Sequence, residues 1–338
     1  MSNHRLYKTR TLGCLWGNII IVIIINEALD MQIGWREFIK NRFKKASTFH
    51  TVGIEMGVKD FNVSTLQKIK GKVKWVKQDS LPIKNWQTEL KTYVKNNHLT
   101  NTKCNVALSR SKYQQFQLDR PAVKDAEINQ ALQWTVKEQL SSDDEFTIDY
   151  FDLPDTAAND KKLNVVAIST KDIIEIHDGV LKAGLTLNII GVEELATCNL
   201  LTHSDDAIIT LKQEEGGQLG LNIVKRNQLF FSRRLRGYEN LTGFSEEELK
   251  IGVVDNLSLE IQRSMDYFES QLRQAPVKKV YISLDTMHEE ALADMIKQVI
   301  FVSVEKFVPD VEKNSDLTIT PSSFASLGAA IENTILIA

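Results

Sequence analysis

Hydrophobic and polar positions alternate along two similar stretches of the chain, one starting near residue 50 and the other near residue 207. The first stretch consists of segments 50–57, 60–68 and 72–79, and the second of segments 207–212, 218–225 and 228–235. A period of two over such lengths predicts β-strands, and short turns between them predict antiparallel meanders. The sequence therefore predicts two three-stranded meanders.

Each predicted meander is followed by alternating helices and strands. After the first, the patterns predict helices near 86–94, 125–140, 171–183 and 193–201, and strands or extended segments at 104–108, 116–121, 146–153, 163–169 and 187–192. After the second, they predict helices at 246–274, 288–299 and 323–331, and strands at 279–284 and 302–307. A scheme that occurs twice indicates a duplicated α/β architecture. We assign residues 48–205 to the first half and 206–338 to the second.

Residues 1–47 form an N-terminal extension with an apolar core, Ile19–Ile25, behind Lys8 and Arg10. This core is shorter than the ~20 apolar residues that a membrane span needs. Three interpretations remain open. The stretch is a weak membrane anchor, or the hydrophobic region of a signal peptide that lacks a clean cleavage site, or an artefact of a start that belongs at Met31.

Residues 31–45 have the pattern of a short basic amphipathic helix. Its apolar face consists of Trp35, Phe38, Ile39 and Phe43, and five basic residues surround that face. Such a helix fits an anionic membrane surface, and it equally fits packing on the rest of the protein.

Composition and charge exclude several classes of function. The chain has 338 residues, of which 43% are hydrophobic and 25% charged, and these are ordinary values for a globular protein. A net charge of −3 gives no global attraction to nucleic acid. Cys14, Cys104 and Cys198 are far apart, so we expect unreactive thiols in a reducing compartment. The six histidines are scattered as well, and no metal site is expected.

Several segments together resemble the PilM-like proteins of type IV pilus assembly, which are related to FtsA and actin. They are 52–57, 119–121, 127–140, 146–150, 182–195, 256–267 and 326–330. The resemblance covers about residues 48–338, and the segment 133–140 is similar to members that serve the mannose-sensitive haemagglutinin (MSHA) pilus. It implies an α/β protein with the actin-like ATPase fold, made of duplicated ribonuclease-H-like halves. It also implies a small inserted α+β subdomain at about 105–175.

The resemblance places a nucleotide cleft at the ends of the two meanders, and the residues there are altered. Gly53, Glu55 and Gly57 keep a vestige of the first phosphate-binding turn, but the residues that follow, Val58 to Phe61, supply no hydroxyl group. Leu211 lies near the position of the second acidic residue. The turn 284–288 has no glycine that would let an adenine base approach the backbone. We therefore expect no catalytic residues, no ATP hydrolysis and no bound cofactor.

The resemblance also implies a function, a non-catalytic scaffold on the cytoplasmic face of the inner membrane. Its partner would be a PilN-like bitopic membrane protein, whose cytoplasmic N-terminus lies in a groove beside the inserted subdomain. Phe116, Leu118, Pro121 and Trp134 are the candidates for the lining of that groove, although ordinary core packing explains each of them as well. The alternative is a switch that binds ATP and changes conformation with weak or no hydrolysis.

The resemblance assigns no role to one cluster of basic residues. Arg233, Arg234 and Arg236 fall on a predicted strand, which puts Arg234 and Arg236 on one face. They either meet acidic groups of a partner or lie on a solvent-facing edge.

Overall fold

The computed structural model describes residues 47–140, 144–154, 161–213 and 217–331. The segments Ile19–Ile25 and 31–45 lie outside the described residues. The described chain forms two five-stranded mixed sheets and one three-stranded sheet.

The first sheet has the strand order β3-β2-β1-β4-β8. Its strands are β1 (Thr51–Met56), β2 (Asp60–Ile69), β3 (Lys72–Pro82), β4 (Lys103–Leu108) and β8 (Thr186–Val192). The first three pair antiparallel, whereas β4 runs parallel to both β1 and β8. Three helices accompany this sheet: α1 (Trp86–Asn96), α3 (Thr170–Ala183) and α4 (Glu193–Cys198).

The second sheet repeats this topology, with the order β11-β10-β9-β12-β13. Its strands are β9 (Ile208–Lys212), β10 (Leu219–Lys225), β11 (Gln228–Leu235), β12 (Lys279–Ser283) and β13 (Ser303–Lys306). Its main helices are α5 (Val254–Ser270) and α6 (Glu289–Ile300). An antiparallel meander continued by parallel strands occurs in both halves, as the two alternating stretches of sequence predict.

The third sheet belongs to a unit inserted between β4 and β8, in the order β5-β7-β6. Its elements are β5 (Gln114–Asp119), α2 (Ile128–Leu140), β6 (Phe146–Asp152) and β7 (Lys162–Ser169). The side chains that recur every four residues on α2, Ile128, Leu132 and Val136, are buried against this sheet. The unit therefore has a small core of its own.

The long helix predicted at 246–274 is interrupted by a π-helical segment and ends earlier than predicted. A capping box starts it, because Ser245 Oγ accepts from the Glu248 N–H at 3.3 Å and Glu248 Oε2 accepts from the Ser245 N–H at 2.8 Å. A π-helical segment, Leu249–Val253, precedes α5. The α-helix ends at Ser270, and Arg273 has a left-handed backbone with φ 50°. Helical periodicity alone carries no signal for a π segment.

The last helix, α7 (Phe324–Ile331), packs on the first sheet although the sequence-based division put it in the second half. Thr51 Oγ1 donates to the Ala330 carbonyl at 2.7 Å, and Asn105 Nδ2 donates to the Ala329 carbonyl at 2.8 Å. Glycines allow the close approach. A Cβ added at Gly53 would lie 1.9 Å from the Ser326 carbonyl oxygen.

Candidate functional site in the cleft between the halves

A cavity of about 280 Å³ lies between the two halves, at the end of the sheets where β1 and β4 finish. Ligand sites of open α/β sheets lie at this carboxyl end of the parallel strands. The lining residues are Val58, Ser109, Arg110, Ser111, Glu193, Lys212, Gly217, Gln218 and Arg234. Val58 directly follows Gly57, so the cavity adjoins the turn in which the sequence predicts a vestigial nucleotide site.

The ammonium group of Lys212 occupies the centre of polar contacts in this cleft. Its Nζ lies 3.1 Å from Glu55 Oε1 and 3.7 Å from Glu193 Oε2. Lys212 comes from β9 in the second half, whereas Glu55 on β1 and Glu193 at the start of α4 belong to the first. The Glu55 side chain is 0% exposed and that of Lys212 8% exposed. The cleft is thus bridged by a buried cation of the protein itself.

A second buried network crosses between the halves next to Lys212. Arg110 and Tyr113, which follow β4, both donate to the Glu194 carboxylate on α4. Arg110 also donates to Ser232 on β11, and Ser232 donates to Asn222 on β10 at 2.7 Å. Burial and the adjacent Glu194 carboxylate raise the pKa of Tyr113 well above its usual value, so its hydroxyl remains a neutral donor.

The structure changes the roles of several residues predicted for the nucleotide site. Gly53 lies under helix α7 and serves helix packing, whereas Gly57 is buried in the turn after β1, where its N–H donates to the Asp60 carbonyl at 3.1 Å. Phe61 is 0% exposed inside the first half and does not line the cleft cavity. Val58, in contrast, borders the cavity.

Lys212, which the sequence analysis did not select, is the residue of the second half that faces Glu55. Leu211 is 1% exposed in the core of the second half, so its side chain points away from the position expected for it. Side chains alternate along a strand, so a shift of one residue exchanges the side chains that face the core with those that face the cleft. The alternation of β9 was a signal for this, because it places either Leu211 or Lys212 in the cleft but not both.

The turn after β12 bonds to itself and to nearby side chains. The Leu284 N–H donates to Glu289 Oε1 at 2.7 Å, and the His288 N–H donates to Thr286 Oγ1 at 3.2 Å. Thr242 Oγ1 donates to Asp285 Oδ2 at 2.6 Å. The polar groups of this segment thus form hydrogen bonds within it and with neighbouring side chains. It is the turn that, in the sequence, lacks the glycine needed for an adenine base to approach the backbone.

An apolar groove of about 170 Å³ lies between the first half and the inserted unit. Its apolar lining comes from Met56, Ile83, Trp86, Leu108, Ile168 and Ile176, and its charged lining from Lys112, Asp172 and Glu175. Trp86 on α1 packs over Gly179 of α3, where a Cβ would meet the indole at 2.2 Å. The indole Nε1 donates to Glu175 Oε1 at 3.3 Å. Helices α1 and α3 therefore fix the shape of this groove.

The four residues predicted for a partner groove do not come together. Phe116 and Leu118 pack on the small core of the inserted unit, and Pro121 is partly exposed after β5. Trp134 is 72% exposed on the outer face of α2. None of the four is among the residues that line the apolar groove. Trp86 and Ile176 do line the groove, but the sequence did not single them out because their helical stripes are typical of ordinary core.

Within 47–331, apart from the undescribed gaps, no helix is long and apolar enough to cross a membrane. In the same residues no group of three or more His, Cys, Asp or Glu side chains is placed to hold a metal ion. Cys104 and Cys198 are buried free thiols, and burial raises the pKa of both.

Comparison with known proteins identifies the fold. Neither a family model nor a curated protein matches the chain. Among solved structures, the PilM–PilN type IV pilus biogenesis complex matches with a TM-score of 0.63 and 15% identity, covering 84% of this chain and 98% of that one. A Bacteroides thetaiotaomicron protein with an actin-like ATPase fold and unknown function matches with a TM-score of 0.48 and 8% identity, over 78% and 93% of the two chains.

The cytoplasmic domain of EpsL, an inner membrane component of the Vibrio cholerae type II secretion system, matches with a TM-score of 0.47 and 8% identity. This match covers 82% of the present chain and 94% of the EpsL domain. At 15% identity, the match to the PilM–PilN complex shows the fold alone, and this is the actin-like ATPase fold. The predicted fold class is therefore confirmed.

Proposed function

We propose that this protein is a non-catalytic scaffold of type IV pilus assembly that binds the cytoplasmic N-terminus of a PilN-like bitopic membrane protein. The proposal places it at the cytoplasmic face of the inner membrane. The observation that carries it is the apolar groove beside the inserted unit. The shared fold with a chain of the PilM–PilN complex supports the choice of partner.

The groove suits one or two apolar anchor residues of a short peptide. Its lining is mostly apolar, and Trp86 at its wall is the kind of large aromatic residue that dominates binding energy at interfaces. Asp172 and Glu175 outnumber Lys112 among the charged residues, so a basic residue next to the anchors would complement the groove. We infer a partner segment that combines apolar and basic side chains.

The particular system we propose is an MSHA-type pilus, with this chain in the role of its PilM-like component, MshI. The support is the sequence resemblance in 133–140 together with the altered nucleotide motifs. The absence of catalysis is likewise a proposal, and it rests on Lys212, whose ammonium group is bound to both cleft carboxylates. The alternative of an ATP-binding switch requires that cleft to accept a nucleotide.

A peptide titration tests the scaffold proposal. The labelled cytoplasmic N-terminus of the PilN-like protein from the same pilus system is titrated with the full chain by fluorescence anisotropy. Ile83 lines the groove and is partly exposed, so Ile83→Arg should block it without opening the core and weaken binding at least about tenfold. Trp134→Ala is the matched control, since it removes an exposed side chain from the inserted unit.

The outcomes separate two surfaces. Loss of binding in Ile83→Arg with normal binding in Trp134→Ala supports the groove. The reverse pattern moves the site to the outer face of α2, where Trp134 is exposed. A wild-type chain that does not bind the peptide overturns the proposed partner.

A further inference from the structure

The outer edge of β11 is bordered by two cavities, of about 350 Å³ and about 690 Å³. Arg233 and Arg234 line both, so the two cavities meet at these residues and form one groove along the strand. We call this the β11 groove. It is distinct from the apolar groove of the proposed pilus partner, with which it shares no lining residue.

The backbone of β11 is open on this side. β11 is the first strand of its sheet and pairs with β10 alone. In the described part of the chain, no backbone hydrogen bond from outside the sheet reaches residues 229–235. An edge strand of this kind presents unpaired N–H and C=O groups to which an extended segment can add.

The walls of the groove differ along its length. At one end the facing element is β5, the edge strand of the inserted sheet, which contributes the amide side chains of Gln114, Gln115 and Gln117. At the other end the facing element is the helix that contains the π-helical segment, and it contributes Gly252, Val253 and Leu259. Amide groups and apolar side chains thus flank the open strand.

The groove carries a positive charge in an acidic protein. Five arginines line the two cavities, namely Arg110, Arg233, Arg234, Arg236 and Arg263. Two glutamates, Glu248 and Glu260, line them as well, and Arg110 pairs with the buried Glu194 carboxylate behind the lining. Five positive charges against three negative ones leave +2. The formal net charge of the whole chain is −3. The positive potential is therefore local, as a docking site for an anionic partner requires.

Part of this charge is neutralised within the protein and part is not. Glu260 binds Arg233 at 2.8 Å and Arg263 at 2.7 Å. Arg234 instead donates to backbone carbonyl groups, one of them that of Tyr113 at 3.4 Å. Among the described residues no carboxylate pairs with Arg234 or Arg236, and both are exposed on one face of the strand end. Within the described chain, these two arginines are the cations of the groove whose charge no carboxylate neutralises.

We propose that the β11 groove binds an extended acidic segment of a partner protein, which adds to the free edge of β11 and pairs its carboxylates with Arg234 and Arg236. Side chains of an added strand alternate, so apolar residues between the acidic ones would meet Leu259 and Phe244. A nucleic acid fits less well, because the two glutamates of the lining and the overall negative charge repel a polyanion.

The test uses a fluorescein-labelled peptide of ~8 residues, the length of an ordinary strand, with alternating glutamate and valine. Anisotropy titrations compare the full-length wild type with Arg236→Glu, which should weaken binding about tenfold through loss and reversal of one charge. Lys278→Glu is the matched control. Lys278 is exposed on the same half, outside the groove, and the change in charge is identical.

A second variant tests the cavity without changing charge. A Cβ added at Gly252 meets no atom within 4 Å, so Gly252→Leu fills the groove with a side chain that also favours helix. It should weaken peptide binding as well, with an unchanged melting temperature. The effect of salt provides a further check, since binding should weaken between low and high ionic strength.

Three results would overturn the proposal. They are an absence of peptide binding to the wild type, equal weakening by Arg236→Glu and Lys278→Glu, or full binding by Gly252→Leu. A labelled oligo-dT that binds more tightly than the peptide, and that loses binding in Arg236→Glu, would make the groove a nucleic-acid site instead. These outcomes do not depend on the pilus partner, whose peptide binds elsewhere in the proposed function.

Discussion

The Nζ atom of Lys212 lies 3.1 Å from Oε1 of Glu55, and the two side chains come from opposite halves of the molecule. Both are buried, and Glu193 approaches the same ammonium group at 3.7 Å. Nucleotide sites often hold Mg²⁺ through one or two carboxylates. Here the ammonium group of Lys212 contacts two carboxylates. The contact explains how the two halves of an actin-like fold are held together across this cleft by the protein's own charges.

We predict that Lys212→Met lowers the free energy of unfolding by about 3–5 kcal/mol, because it leaves the buried Glu55 carboxylate without its cation. The double variant Lys212→Met/Glu55→Gln should recover much of this loss, since it also removes the buried negative charge of Glu55. Urea unfolding of the three chains, followed by tryptophan fluorescence, measures both effects.

Lys182→Met is the control for this prediction. Lys182 pairs with Asp178 at 3.3 Å, but the Lys182 side chain is 70% exposed. Such surface pairs contribute about 0–1 kcal/mol. A Lys212→Met variant that is no less stable than Lys182→Met would contradict the role given to the buried bridge.

We predict that Mg-ATP at cellular concentrations does not raise the melting temperature of the wild type, because Lys212 already occupies the two carboxylates that would hold the metal. Lys212→Ser removes the ammonium group that contacts Glu55 and Glu193, so Mg²⁺ alone should stabilise this variant. Thermal-shift titrations with Mg²⁺ and with Mg-ATP measure both effects.

The same titrations on Lys182→Ser show whether any response comes from the surface. Saturable stabilisation of the wild type by Mg-ATP would contradict the scaffold proposal and favour the ATP-binding switch. A Lys212→Ser variant that does not respond to Mg²⁺ would show that the carboxylate pair is not a latent cation site.

Most of the fold could be predicted because its signals are local. The alternation in β1, β2 and β9, and the four-residue repeat on α2, appear directly in the sequence. The π-helical segment Leu249–Val253 could not be predicted, since its residues fit an ordinary helical stripe. The packing of α7 on the first sheet could not be predicted either. It depends on contacts between residues more than two hundred positions apart in the chain, such as Thr51 and Ala330.

The candidate site was harder to predict than the fold, because its contacts join residues that are far apart in the chain. Motif comparison selected Glu55, but it could not show that Lys212 meets it from the other half. Gly53 shows a second limit of motif comparison. A glycine at a phosphate-binding turn and a glycine beneath a packed helix look identical in sequence, and only the position of Ser326 distinguishes them.

We predict that Gly53→Ala lowers the free energy of unfolding by about 1–3 kcal/mol or more, because the new methyl group would lie 1.9 Å from the Ser326 carbonyl oxygen. Gly243→Ala is the control, since a Cβ at Gly243 meets no atom within 4 Å. Urea unfolding measures the difference. Equal stability of the two variants would contradict the packing of α7 on β1.

We predict that the Cys104 and Cys198 thiols react with iodoacetamide at least about 100-fold more slowly in the folded protein than in urea, because burial raises their pKa and blocks access. Peptide mapping by mass spectrometry measures each site separately. Gly328→Ala should accelerate the alkylation of Cys198, because a Cβ at Gly328 would lie 2.0 Å from the Ala196 carbonyl oxygen and push α7 away from α4. Rapid alkylation of Cys198 in the native wild type would contradict the tight packing of these two helices.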